Sequence, residues 1–225
     1  MAKKNQVKLA LVIFFVVAIL DIVGIIMHSV LLRTIFKPLV MLSLALYYLS
    51  ATKKNNIWYL VGIFFSFLED VFLLNSGEFY FILGLASFLL AHIVYIKITN
   101  SFINRKSISK ITVTTLPFIA FFIVFLFLLK DYLSEMLLPV IVYGIVISIF
   151  GMVTTLNYSS YKSKANLWLL LGALFFILSD SILAVNKFYS TKEVYGLTVM
   201  VTYIIAQFFI CKAMILKDSP LSTVK

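Results

Sequence analysis

The sequence predicts an all-α fold, a polytopic membrane bundle of eight transmembrane helices, on three observations. Of the 225 residues, 63% are apolar and only 12% charged, with mean hydropathy +1.09. That leaves too little polar surface for a soluble domain of this size. Apolar runs of about 18 residues or more recur along the chain, the length a helix needs to cross a bilayer. Between them lie short connectors rich in Lys, Asn, Ser and Gly, which break helices.

The first span, about 8–28, follows Met1-Ala2-Lys3-Lys4, which mimics the basic start of a signal peptide. No small-residue cleavage site follows, so it reads as a retained span. Pro38 opens the second, about 34–51, and Lys53-Lys54-Asn55-Asn56 precedes the third, about 57–75. The fourth, about 79–98, follows Asn75-Ser76-Gly77-Glu78, and the fifth, about 111–130, follows Asn104-Arg105-Lys106. A short Asp131–Glu135 link leads to the sixth, about 136–156, opened by Pro139. Ser159–Lys164 and the Asn186–Glu193 link introduce the last two, about 166–185 and 194–215. No connector can hold a soluble domain, so residues 1–225 form one membrane domain.

The net charge of +10 sits in these connectors rather than in a basic stripe interleaved with aromatics, so no nucleic acid partner is expected. Arg33, Lys37, Lys130, Lys187 and Lys192 fall on one side, and the other 14 of the 19 basic residues on the side of the termini. By the positive-inside rule both termini are cytoplasmic. Lys/Asn/Ile/Phe-rich usage points to a bacterial inner membrane. The single Cys211 makes no intramolecular disulfide, and His28 and His92 cannot build a three-histidine zinc site, so no metal and no cofactor are expected.

Spans three and seven match at an offset of 110: Leu60/Leu170, Gly62/Gly172, Phe65/Phe175, Leu68/Leu178, Asp70/Asp180 and Leu73/Leu183. Spans four and eight pair at 115: Glu78/Glu193, Tyr80/Tyr195, Ala91/Ala206 and His92/Gln207. A 4+4 parallel repeat fits this better than an inverted one. Carboxyl groups at membrane depth are expensive and usually face a bundle interior or a watery cavity, so Asp70 and Asp180 are expected to share a polar site. At ~1.5 Å per residue, Asp70, Asp180 and Tyr143 all fall about 20 Å from the cytoplasmic face. Lys37 lies near them, either as part of the site or as a topology charge. Asp21 is at similar depth on an unmatched span and reads as an interhelical hydrogen-bond residue; His28 reads as an interface residue. His92 and Gln207 fall about 10 Å from that face. His92, Tyr95 and Thr99 on one helix, with Tyr203 and Gln207 on another, can line a shaft below the carboxyls or simply tie helices together. Glu69 is adjacent to Asp70, and at ~100° per residue the two are not expected to face one cavity squarely.

These motifs resemble the lysoplasmalogenase family of eight-span membrane proteins, the YhhN-like group. The resembling stretches run in order from Lys37-Pro38-Leu39 through Phe65–Asp70, Gly84–Tyr95 and Pro139–Tyr143 to Leu178–Phe188 and Tyr203–Gln207. One departure is Glu69, where the family usually has Gly. The resemblance implies hydrolysis of the vinyl ether bond of a lysophospholipid, with Asp70 and Asp180 catalytic. It implies substrate contacts from Lys37, His92, Tyr95, Tyr143, Ser179, Asn186, Tyr203 and Gln207. Protonation on carbon gives an oxocarbenium-like cation that water traps. One carboxylic acid must donate while a carboxylate stabilises the cation or activates water, a division similar to that of glycosidases. A proton-coupled carrier and a non-catalytic lipid-binding protein are the other classes that matched intramembrane acids allow.

Overall fold

The computed structural model describes residues 2–103 and 108–218. Arg105, Lys106 and Lys225, which enter the charge count above, lie outside the described residues. Within those bounds the chain is all-helical: α1 (Ala2–Ile26), α2 (Val30–Ala51), α3 (Ile57–Phe72), α4 (Glu78–Ser101), α5 (Ile108–Leu133), α6 (Leu137–Ser160), α7 (Lys164–Ala184) and α8 (Glu193–Asp218). A 3₁₀ turn, Ser134–Met136, joins α5 to α6, and one turn of π-helix, Val185–Tyr189, ends α7.

Six helical stretches are long and apolar enough to cross a membrane, and the protein is a helical membrane protein on that basis. One stretch, residues 108–160, is 53 residues long. At ~1.5 Å per residue it would reach about 80 Å, far beyond a ~30 Å hydrocarbon layer. It doubles back instead: Ser134 takes φ 45°, which ends α5, and α6 returns against it. Helix α3 has 16 residues, a rise of about 24 Å.

The helices extend beyond most of the expected spans. Helix α2 starts at Val30, so Pro38 lies inside it and does not open it. Ser29 supplies the start, its side chain accepting from the Leu32 N–H at 3.3 Å. Asp131 belongs to α5, and Asn186 lies in the π turn rather than in an open link. Successive helices pack as hairpins, α1 on α2, α3 on α4, α5 on α6 and α7 on α8, and α4 and α6 join the halves. Two matched glycines allow the close approaches. A Cβ on Gly62 would stand 2.3 Å from the Tyr95 ring of α4, and one on Gly172 would stand 2.7 Å from Ile210 of α8. The core behind them holds Met41, Tyr59, Tyr95, Phe150, Phe176 and Met214. Helix α5 is peripheral and turns Val113, Leu116, Val124 and Phe127 outward, as a lipid-facing helix does.

Candidate active site

The first turns of α2 and the α3–α4 and α7–α8 turns surround the mouth of a polar cavity of about 490 Å³. Arg33, Lys37, Asn186 and Lys187 line its upper wall, and Glu69, Asp70, Ser179, Asp180 and Tyr203 its depth. Asp70 and Asp180, expected from their matched positions to share a site, both line it. A second, narrower cavity of about 70 Å³ adjoins it. Its walls are almost wholly apolar, among them Phe81, Phe122, Phe125, Leu129 and Ile147. Glu69 and Asp180 border both spaces.

Asp70 is fully buried. Lys37 Nζ lies 3.8 Å from Asp70 Oδ1, and the Tyr203 hydroxyl donates to Oδ2 at 3.0 Å. Lys37 comes from the turn of α2 that faces α3, and its long stem lets an ammonium only 6% exposed sit among helices. Among the described residues, no cation meets Asp180. Its Oδ2 accepts from the Tyr143 hydroxyl at 2.5 Å, and its side chain is partly open to the cavity.

Glu69 and Asp70 both line the polar cavity, contrary to the expectation from their ~100° separation. The cavity is wide enough to span that angle, and the extra methylene of glutamate lets its carboxyl swing toward it. Glu69 lies close enough to Asp70 and to Asp180 for its charge to act on each. Its Oε2 is buried and has no hydrogen-bond partner, and the same is true of Asp70 Oδ1. The matched residue in α7, Ser179, is satisfied: it donates to the Val199 carbonyl of α8 at 3.0 Å.

Three expected substrate contacts lie behind the cavities and line neither: His92, Tyr95 and Gln207. They hydrogen-bond among themselves and their neighbours instead. Gln207 Nε2 donates to Ser66 Oγ at 2.9 Å, and the Tyr95 hydroxyl donates to Gln207 Oε1 at 3.2 Å. His92 Nδ1 lies 2.9 Å from the Phe88 carbonyl, which can only accept, so Nδ1 carries the proton. The Tyr143 hydroxyl stands 3.5 Å from the same nitrogen and gives its proton to Asp180. Thr99 returns its hydroxyl to the Tyr95 carbonyl at 2.7 Å. Asp21 is fully buried beside Arg33, 3.7 Å from its Nε, and lines neither cavity. His28 is exposed at the α1–α2 turn.

Sequence reasoning missed Arg33 and Lys187 at the mouth. Arg33 stands four residues before Lys37, the spacing that puts both on one helix face, and that signal was legible. Among the described residues, no three His, Cys, Asp or Glu side chains gather to hold a metal ion.

Fold and site together define a helical membrane protein with a buried carboxyl cluster between a basic mouth and an apolar slot. The YhhN family model matches residues 32–214, from α2 to α8, and the chain belongs to the YhhN family. No curated protein and no solved structure matches it.

Proposed function

We propose that this protein is an eight-span membrane hydrolase that cleaves the vinyl ether bond of lysoplasmalogens to a fatty aldehyde and a glycerophospho-base. The observation that carries this reading is that Asp70 and Asp180 line one cavity, with cations at its mouth and an apolar slot at its side. A lysophospholipid has the same three-part character. Its phosphate suits Arg33, Lys37 and Lys187, its alkenyl chain suits the slot, and its vinyl ether lies between, at the carboxyls.

The chemistry follows from that placement. A carboxylic acid protonates the vinyl carbon remote from oxygen, and the cation that forms is delocalised onto the ether oxygen. A carboxylate nearby stabilises the positive charge or takes a proton from water as it adds to the cationic carbon. The hemiacetal then collapses to aldehyde and alcohol. Asp70, Asp180 and their tyrosine partners supply this work without a metal or cofactor.

Eight crossings, with α3 as the shortest and residues 108–160 counted as two, put the termini on one side and the cavity mouth on the other. The charge bias makes the terminal side cytoplasmic in a bacterial inner membrane. Reporter fusions at Lys225 and Gly77 are expected to report opposite compartments; the same compartment for both would refute the count.

The direct test is purified protein in detergent given lysoplasmalogen, where aldehyde release is expected. A carrier needs two compartments and would release none. Hydrolysis of ester lysolipids with vinyl ethers untouched would assign the protein to another hydrolase class.

A further inference from the structure

We propose that in this chain Glu69, at a position where the family usually has Gly, has taken over as the acid of the reaction, a third catalytic carboxyl beside Asp70 and Asp180. The assignment rests on the hydrolase reading above and adds a residue to it. Four observations converge on this side chain. Glu69 borders both the polar cavity and the apolar slot, so it stands where a vinyl ether would pass from one to the other. It is only 6% exposed, and its Oε2 has no hydrogen-bond partner, an expensive arrangement for a buried oxygen. It lines the polar cavity together with Asp70 and Asp180. Its counterpart in the other half, Ser179, is spent on the Val199 carbonyl.

The packing beside Glu69 also differs from that beside Ser179. At the offsets that match the two halves, Ser179 and Val199 correspond to Glu69 and Gly84. Where α8 offers a valine, α4 offers a glycine that lines the slot. A Cβ on Gly84 would stand 2.8 Å from Leu73, which also borders both cavities. The α3–α4 half thus holds a carboxyl that meets Asp70 and Lys37 and keeps one buried oxygen unpartnered among the described residues, and the α7–α8 half holds a hydroxyl closed onto its neighbour.

The three carboxyls then divide the labour. Glu69 gives its proton to the vinyl carbon as the π pair forms the new C–H bond. Asp70, held between Lys37 and Tyr203, faces the oxocarbenium ion. Asp180 takes a proton from the water that bonds to the cationic carbon. As the hemiacetal collapses, Asp180 returns that proton to the departing ether oxygen and the Glu69 carboxylate takes the hydroxyl proton. Both groups end as they began, and one water is consumed.

The test uses the full chain, wild type and Glu69→Gln, with lysoplasmalogen in detergent. Gln keeps the shape and loses the acid, so aldehyde release is expected to fall at least about 100-fold while the melting temperature holds. Should Gln not fold, Glu69→Ala replaces it with the same expected loss. Glu69→Asp keeps a carboxyl one methylene short and is expected to restore part of the activity. Infrared spectra of protein carrying isotope-labelled glutamate give a readout that packing would not move. Glu78, Glu135 and Glu193 are exposed, so a labelled protonated-carboxyl band that vanishes in Glu69→Gln is Glu69 holding its proton. Wild type that releases aldehyde beside a folded Glu69→Gln of near-normal activity overturns the assignment and leaves the hydrolase reading standing. So does absence of the labelled band. Wild type that releases no aldehyde overturns the hydrolase reading and this assignment with it.

Discussion

The α3 and α7 corners of the site begin from matched sequence and end in different surroundings. Each has a glycine eight residues before its aspartate that lets a neighbouring helix approach: α4 at Gly62 and α8 at Gly172. Each aspartate accepts from a tyrosine, Tyr203 for Asp70 and Tyr143 for Asp180. There the likeness stops. Asp70 borders the polar cavity alone and has Lys37 within 3.8 Å, whereas Asp180 borders both cavities and, among the described residues, has no cation beside it. One residue earlier, Glu69 faces the cavities without a donor for Oε2 while Ser179 is tied to α8. Two similar stretches of sequence thus give a charge-paired carboxyl and one without a cation among the described residues, an asymmetry that suits acid–base chemistry.

The largest expected effect breaks both corners at once. Asp70→Asn and Asp180→Asn are each expected to cut aldehyde release by at least about 100-fold, and the double change to cost little more than one, as for residues sharing a transition state. Near-normal release by both folded single variants would end the shared-site reading. Next comes the cation that separates the corners. Lys37→Met leaves Asp70 buried without its partner, a loss of roughly 3 kcal/mol in folding stability when a buried pair is broken from one side. Among the described residues no equivalent cation stands at Asp180, so Tyr143→Phe is expected to lose only about 1 kcal/mol, read by thermal unfolding in detergent. Equal losses would show that Lys37 contributes no more than a hydroxyl.

Smaller effects refine the packing side of the comparison. Gly62→Ala and Gly172→Ala are each expected to destabilise by about 1–3 kcal/mol, because each new Cβ meets a packed side chain. Gly62→Ala is expected to be the worse, since the Tyr95 ring it would strike is hydrogen-bonded to Gln207 and cannot swing away freely. The smallest change expected is in activity for Asp21→Asn. Asp21 lies at similar depth but lines neither cavity, so aldehyde release should stay close to wild type while the Arg33 contact weakens. A collapse of activity there would extend the site to α1.

Much of this was legible in the chain before folding. Apolar run length alone marks the helical membrane class, because a lipid solvent leaves a backbone few ways to satisfy its hydrogen bonds. The 110-residue offset singled out Asp70 and Asp180, since an ionisable group in an apolar run is too costly to stand there without cause. Helix ends were less legible: Pro38 reads as a start, yet the Ser29 cap sets the start earlier.

What only the tertiary structure decided is which neighbour each polar residue meets. Periodicity puts His92, Tyr95 and Gln207 on inward faces, but whether an inward face borders a cavity or another side chain depends on how closely helices approach. Gly62 and Gly172 set that distance, and the polar residues beyond them bond to one another. The angular rule separated Glu69 from Asp70, yet rotation about a helix axis fixes direction and says nothing of the width of the space faced. Asn75, Ser76 and Gly77 of the α3–α4 turn wall that space with α2 and the α7–α8 turn, and contacts between residues far apart in sequence are what no local pattern encodes.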